Sequence, residues 1–512
     1  AKRLAVVALP ATDSPEALPL GAACVAAAGG AAASLRGAAS AFVLEAGEGE
    51  GPSAIASRIA ASGADWAAFS VYSWSRRASC GTARELRARF RASGRAGMLL
   101  FAGGPEATAS PEGLLAEGCF DFVVVGEGET ATVRALEAVV AAGDEGLAAE
   151  GPSAALAGRL AAMRGIAVRG FPASRAPAED PASLPSPWLS GTLDASARGG
   201  DLLWELARGC PYRCAYCYES KGEPGVRRLP LGRIEAELDL FARSGARYVF
   251  VLDPTFNADR DRARTLLSLM AARAPGLRWK FELRAELVDR EIAARLARLD
   301  CTLQIGLQSA RPETLALVGR AFDRKAFARG LGFLDRAGLS YGLDLIYGLP
   351  GDALGDFESS LDWALGFGPN HLDVFPLAVL PGTALADRAA ELGIEAAAEP
   401  PYLVRSTPRM PAGDLARAAR LAAACDRFYS AGRAVGWFRA ALAPLRARPS
   451  AFLAGYADWL GGRGAVGWSA AAPGVAAADS PPPHSTIEAE QLAFLEGKYA
   501  SAGLGRLWPA LR

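Results

Sequence analysis

Arg208-Gly209-Cys210-Pro211-Tyr212-Arg213-Cys214-Ala215-Tyr216-Cys217 sets three cysteines at CxxxCxxC spacing just after the apolar run Leu202-Leu203-Trp204-Glu205-Leu206. Such a run reads as a strand, so the cysteines occupy the loop at its C-terminal end, where barrel enzymes keep their chemistry. Three thiolates this close together can hold three corners of a cubane iron-sulfur cluster. With no fourth cysteine nearby, one iron is left open to another ligand. A zinc knuckle, which wants a fourth Cys or His, and a redox pair of Cys214 and Cys217 are the alternatives. The nearest histidine is His371.

Downstream, strand and helix patterns alternate from residue 201 to 404. Expected strands are Leu202 to Leu206, Tyr248 to Leu252, Arg278 to Leu283, Thr302 to Gly306, Tyr341 to Tyr347 and His371 to Leu377. Six such units make an open, partial (β/α)6 barrel. Upstream, residues 1 to 145 repeat the alternation, with strands at Leu4 to Leu9, Ala41 to Leu44, Trp66 to Ser70, Met98 to Ala102 and Phe122 to Val125. This predicts an α/β domain with a doubly wound parallel sheet, its ligand lying over the C-terminal strand ends. The loops there are Ser70-Val71-Tyr72-Ser73-Trp74-Ser75, Gly103-Gly104-Pro105-Glu106-Ala107-Thr108 and Gly126-Glu127-Gly128-Glu129-Thr130. Their glycines let backbone approach a large flat ligand, and their hydroxyls can bond its amide arms. Taken singly, each loop is also compatible with an ordinary turn or helix start.

Residues 146 to 200 are rich in Ala, Gly, Pro and Ser and end in Pro181-Ala182-Ser183-Leu184-Pro185-Ser186-Pro187-Trp188, which reads as a linker. Residues 405 to 512 read as helical, with Leu415 to Trp437 and Ile487 to Tyr499 the strongest candidates, interrupted at Ser480-Pro481-Pro482-Pro483. Trp437, Trp459 and Trp468 are read as core.

The 512 residues suit two or three domains, and 51% apolar content is ample to bury them. With 55 basic and 55 acidic residues there is no general pull toward nucleic acid or a membrane surface. No uncharged apolar run approaches the roughly 18 residues of a membrane span. The opening apolar run reads as a first strand, shorter than a signal sequence. Five further cysteines, Cys24, Cys80, Cys119, Cys301 and Cys425, are scattered and read as buried thiols in a reducing, cytoplasmic compartment.

The cysteine loop resembles that of the radical SAM superfamily, in which S-adenosylmethionine (SAM) chelates the open iron of a [4Fe-4S] cluster held here by Cys210, Cys214 and Cys217. The resemblance implies that Tyr216 lies near the adenine and that Asp253, in Asp253-Pro254-Thr255-Phe256-Asn257, contacts the SAM ammonium. Alternation puts Glu282 and Arg284 on one face of their strand, where Arg284 is the candidate for the SAM carboxylate and Glu282 a neighbouring cofactor-site candidate; the resemblance points to Gln308 and Ser309 for the ribose, and to Tyr347 with the glycines of Gly348-Leu349-Pro350-Gly351 beside the adenine. An Asx-turn at Asp253 and a structural Glu282 to Arg284 ion pair are the alternatives.

Together, the three N-terminal loops look like the cobalamin-binding domain that precedes the radical SAM domain in one branch of that superfamily. Ser70, Tyr72, Ser73, Trp74, Gly103, Gly104, Pro105, Gly126, Glu127, Gly128 and Glu129 are the implied contacts. Residues 1 to 200 contain no histidine, so this domain cannot supply an imidazole to the lower face of cobalt; Tyr72, Trp74 or Arg76 is the candidate shield. The pattern from Arg208 to Pro400-Pro401-Tyr402 is similar to a group of cobalamin-binding radical SAM proteins with a characteristic C-terminal segment of unassigned function.

What this implies is an enzyme that makes a 5′-deoxyadenosyl radical and methylates an unactivated carbon of a small molecule or peptide, with a flavodoxin- or ferredoxin-like electron donor. Ring formation, rearrangement or redox chemistry without methyl transfer is the alternative, and a corrinoid-binding sensor a third reading.

Overall fold

Short apolar runs joined by Ala-rich amphipathic stretches bury both faces of a strand only when the intervening helices cross over the sheet. The computed structural model, which describes residues 1–10, 18–47, 49–92, 98–148, 151–220, 225–463 and 482–507, shows this arrangement. Trp468, Ser480 and Pro481 lie outside the described residues. The chain divides into two units: Ala1–Gly209 with Gly222–Leu252 and Ala272–Leu277, and Cys210–Lys221 with Asp253–Ala271 and Arg278–Arg512.

In the first unit, β1 (Lys2–Ala8), β2 (Ala39–Glu45), β3 (Trp66–Ser70), β4 (Leu99–Gly103) and β5 (Phe122–Val124) form a parallel sheet in the order β2-β1-β3-β4-β5. The registers pair Leu4 with Trp66, Trp66 with Leu99 and Phe101 with Phe122. Apolar cores cover both faces, one around Val7, Phe69 and Leu100, the other around Val6, Phe101 and Leu136.

The stretch expected to be a linker carries more structure than its composition suggests. After the small antiparallel pair β6 (Leu147–Ala148) and β7 (Gly151–Pro152), β8 (Ile166–Val168) joins the sheet antiparallel beside β5, pairing Val168 with Phe122. Farther on, Trp188 is buried edge-on against Phe241 at 5.4 Å. Ser186 Oγ donates at 2.5 Å to Glu237, a carboxylate 1% exposed that also accepts from Trp204 Nε1 at 2.6 Å and Arg233 Nε at 2.9 Å. This segment is therefore fastened rather than free. Next come β9 (Asp201–Trp204), the short ribbon of β10 (Ala207–Arg208) and β11 (Arg227–Arg228), and β12 (Tyr248–Val251), which pairs in parallel with β9.

The second unit contains four parallel strands, β13 (Arg278–Leu283), β14 (Asp300–Gln308), β15 (Ser340–Tyr347) and β16 (His371–Pro376), adjacent in chain order. All six strands expected between residues 202 and 377 are thus present. Trp279, Phe281, Leu303, Ile305, Leu343, Leu345, Leu372 and Val374 are buried, while Lys280, Glu282, Gln304, Asp344, His371 and Asp373, on the alternating positions, remain partly open. These four strands therefore have one apolar face and one polar, accessible face.

Beyond the antiparallel pair β17 (Glu395–Ala396) and β18 (Val404–Ser406), the chain is helical as expected, at Ala412–Cys425, Phe438–Leu445, Pro449–Arg463 and His484–Ser501. Its core gathers Phe438, Phe452, Tyr456 and Phe494 around Phe428. Trp437 packs on Phe428 and Trp459 on Phe494. Ser430 fastens this region to edge strand β16: its Oγ accepts from Leu372 N at 3.0 Å and donates to Leu372 O at 3.1 Å. Among the described residues, no helix is long and apolar enough to cross a membrane.

Candidate cofactor sites

In the first unit, the predicted loops lie at the C-terminal ends of β3, β4 and β5, where the strand order places them side by side. Gly104 has φ +100°, and a Cβ there would stand 2.8 Å from Val71 O, so the sharp turn after β4 admits only glycine. Gly126 has φ +101°, and its N–H donates to Thr108 Oγ1 at 3.0 Å. Gly103, Pro105 and Gly128 stay partly open beside them, as do Ser70 and Ser73 after β3. Tyr72 and Trp74 stack at 4.4 Å and 14°, with Trp74 56% exposed. An accessible aromatic pair beside glycine-permitted backbone suits a large flat ligand, and these residues fit a corrin held without imidazole.

Not every predicted contact points outward. Arg76 is drawn back by Glu106 at 2.9 Å and Glu117 at 3.4 Å. Glu127 and Glu129 are also committed: Glu127 to Arg227 at 2.5 Å, Glu129 to Arg208 at 2.6 Å. Although burial opposes it, the Arg227 fork, the Glu179 N–H and Arg208 hold the Glu127 carboxyl below its ordinary range. The Gly126–Glu129 turn therefore offers main chain and glycine space, while its carboxylates serve arginines.

In the second unit, Cys214 is buried and Cys210 and Cys217 are partly open. Cys217 N donates to Cys214 O at 3.0 Å, closing a tight turn. Ala215 N donates to Val318 O, and Leu385 N to Ala215 O, each at 2.8 Å, so the loop is laced down on both sides. Cys210 Sγ is 3.9 Å from Thr255 Oγ1. Burial pushes the Cys217 thiol up to about 11 and raises that of Cys210, with Cys214 adding to both. Cys210 and Cys217 are thus near enough to Cys214 to feel its charge and, without metal, hold their own protons at neutral pH. Among the described residues, no three His, Cys, Asp or Glu side chains converge as ligands of a single ion. A zinc knuckle takes four Cys or His ligands, whereas a cubane with one open iron takes three, and the loop supplies Cys210, Cys214 and Cys217 alone.

Tyr216 packs against Ala215, Leu315, Val318 and Leu349, its buried Oη without a hydrogen-bond partner. An orphaned donor beside Cys214 and Cys217 fits a position next to a heterocycle. Asp253 is 7% exposed at the end of β12. Asn257, fully buried, donates from Nδ2 to Arg284 O at 2.9 Å and accepts from Arg284 N at 3.0 Å, fastening the loop after β12 to the end of β13.

Arg284 lies 4.0 Å over the ring of Tyr212, donates to Ala321 O at 2.6 Å and has Glu286 as its ion partner at 3.5 Å. Glu282 is on the open face of β13. Gln308, past an irregularity in β14, has φ +71° and lies over Gly306, where a Cβ would meet its Nε2 at 2.6 Å. That conformation is costly for a non-glycine residue and recurs at ligand sites. Ser309 is enclosed, accepting from Arg311 N at 3.2 Å beside Ser360 Oγ at 3.4 Å. Tyr347 is buried against Phe357 at 5.8 Å, and Gly348 and Gly351 both turn with φ +85°.

The open face also carries a network that sequence reading missed. Gln304 Nε2 donates to Asp344 Oδ1 and, at 3.1 Å, to Asp373 Oδ2; His371 Nε2 donates to Gln304 Oε1 at 2.7 Å. Gly342 makes room, since a Cβ there would stand 2.0 Å from His371 Nε2. Burial, with Asp373 adding, pushes the Asp344 carboxyl up to about 7, against the pull of Gln304, Arg320 and Lys280. The available signal was period-two alternation across β14, β15 and β16.

Two family profiles match the chain, the B12 binding domain over residues 9–136 and the Radical SAM superfamily over residues 204–364. The 2-(S-pantetheinyl)-carbapenam-3-carboxylate methyltransferase of Streptantibioticus cattleyicolor is 30% identical over 62% of this chain and 47% of its own. The cobalamin-dependent radical SAM methyltransferase TokK of Streptomyces tokunonensis is 27% identical over 63% and 48%. The chain thus spans about half the length of these curated relatives. Among solved structures, the radical S-adenosylmethionine methyltransferase TsrM of Kitasatospora setae, with cobalamin and [4Fe-4S] cluster bound, shares the fold at TM-score 0.61, 16% identity and coverage of 98% of this chain and 100% of its own. The chain thus carries, in this order, a stretch that matches the B12 binding domain and a stretch that matches the Radical SAM superfamily, the two features for which TokK is named.

Proposed function

We propose that this protein is a cobalamin-dependent radical SAM methyltransferase that methylates an unactivated carbon of a small molecule or peptide. The observation that carries this is the laced-down loop of Cys210, Cys214 and Cys217, three thiols with no fourth, on a chain whose first unit offers an accessible aromatic and glycine surface. When bound, the cluster and SAM supply one-electron reductive chemistry on carbon, and cobalamin supplies a methyl carrier.

The chain's own residues hold, orient and shield. Cys210, Cys214 and Cys217 give up their protons to bind iron, which makes loading favour higher pH. Asp253 supplies a carboxylate for the SAM ammonium, Arg284 a cation for its carboxylate, and Gln308 an amide for the ribose. Tyr216 would stand beside the adenine. Tyr72 and Trp74 would pack against the corrin, and the turns at Gly104 and Gly126 would give it room. A flavodoxin- or ferredoxin-like protein delivers the electron.

The test is iron and cobalt content after anaerobic purification from cobalamin-fed cells, followed by turnover with methyl-deuterated SAM. About four iron and one cobalt per chain, with deuterium in the product, is the expected result. Deoxyadenosine without label in product would move the protein to radical chemistry without methyl transfer. Iron without cobalt would leave the first unit with another ligand.

A further inference from the structure

The segment holding Cys210, Cys214 and Cys217 leaves and re-enters the first unit through the ribbon of β10 and β11, in which Arg208 pairs with Arg227. Gly209 closes the ribbon tightly, since a Cβ there would stand 2.7 Å from Gly225 O. Both paired arginines turn to one target, the Gly126–Glu129 turn at the end of β5. Arg227 grips Glu127 with both ends of its fork, Nη2 to Oε1 at 2.5 Å and Nη1 to Oε2 at 2.9 Å. Arg208 Nη2 reaches Glu129 at 2.6 Å and Nη1 lies 3.7 Å from Glu127. Glu179 joins from the segment after β8: its N–H donates to Glu127 Oε2 at 2.8 Å, and its carbonyl accepts from Arg227 at 2.5 Å. Arg208 is 14% exposed and Glu129 7%, and Glu127 and Arg227 are 20% and 25% exposed, so the lattice is partly buried.

Buried ion pairs contribute little net stability, because desolvation offsets their attraction, but a bidentate fork fixes direction and distance. We propose that Arg208 and Arg227 are positioning residues that lock the stem of the cysteine loop to the Gly126–Glu129 turn, so that a ligand on that turn changes the surroundings of the cysteines. This rests on the cofactor reading above only for the identity of the ligand; the lock belongs to the chain alone.

Two measurements on the full chain test it. In cofactor-free protein, Arg227→Met should speed amide exchange about tenfold at both the β10–β11 stem and the Gly126–Glu129 turn, the factor that losing about 1.4 kcal/mol gives. Arg227→Lys, which keeps a cation opposite Glu127 and a donor toward the Glu179 carbonyl, should recover part of the protection at both. Faster exchange at the stem alone, or Arg227→Lys as open as Arg227→Met at both, would overturn the proposal. In reconstituted protein, hydroxocobalamin should slow removal of iron by a chelator several-fold in the wild type and not in Arg227→Met. Slowing that survives the substitution would also overturn it. A wild type that binds neither metal would sink the cofactor reading, and the exchange experiment would still decide the lock.

Discussion

Replacing Asp344 by Asn should make the protein more stable at pH 8 and leave it nearly unchanged near pH 4.5. In the folded chain, burial holds the Asp344 proton to about pH 7, with Asp373 adding. The unfolded chain releases that proton near the ordinary aspartate value of 3.8. Between those limits the native state binds more protons than the unfolded state, so this group's contribution is fully present below about pH 4 and is lost as pH rises through 7. The full lift corresponds to at most about 4 kcal/mol. Because the side chain is partly open, about half of that is expected.

Asn cannot ionise, so the variant escapes the loss. Gln304, Asp373, His371, Lys280 and Arg320, which face or surround the site, are common to both proteins and largely cancel in the comparison. Thermal unfolding of the two cofactor-free chains across pH 4.5 to 8 should show the variant's melting temperature pulling ahead by roughly 5 °C at the alkaline end. A gap of constant size over that range would refute the reasoning, since it would mean that the Asp344 proton is not retained by the fold.

Three other substitutions probe other parts of the structure. Glu237→Ala strands two buried donors, on Ser186 and Trp204, removes the ion partner of the partly buried Arg233, and should cost about 3–5 kcal/mol in denaturant unfolding; a loss under about 1 kcal/mol would show that the carboxylate is dispensable. Gly104→Ala puts a Cβ against Val71 O at a φ of +100° and should lower stability by at least about 1–3 kcal/mol while weakening hydroxocobalamin uptake. Trp74→Ala, at a position 56% exposed, should leave the melting temperature in place yet reduce hydroxocobalamin affinity about tenfold, read by absorbance titration; unchanged affinity would remove Trp74 from the site.

The strands were easy to see because each buried parallel strand is a short apolar run, and a helix-length segment must follow it. Trp66–Ser70 and Arg278–Leu283 carry the bounds that the residues alone suggest. β8 was hidden because Ile166–Val168 joins the sheet antiparallel, needs no crossover helix and lies in a stretch whose Gly and Pro content speaks for a linker. Within the region read as helical, the bounds of Phe438–Leu445 and Pro449–Arg463 were not legible, because alanine-rich sequence with interspersed proline blurs the 3.6-residue period.

The sites divide along the same physical line. Cysteine spacing, loop glycines and exposed aromatics are local properties, and local properties are written in consecutive residues. Which acid meets which base depends on register between strands far apart in sequence. Nothing near Arg284 in the sequence distinguishes Glu282 from Glu286 as its partner; the chain's turn after β13 chooses the latter. In the same way Glu127 and Glu129 look like ligand contacts until the ribbon brings Arg208 and Arg227 to them, and Gln304 looks like an ordinary strand residue until β15 and β16 set Asp344 and Asp373 beside it. Side chains chosen for a ligand and side chains chosen to hold the site in place are alike in type, and long-range pairing is what separates them. It follows that the carboxylates of the Gly126–Glu129 turn should govern how firmly the β10–β11 stem is held more than how tightly a corrinoid is bound, which is the distinction the exchange experiment is built to draw.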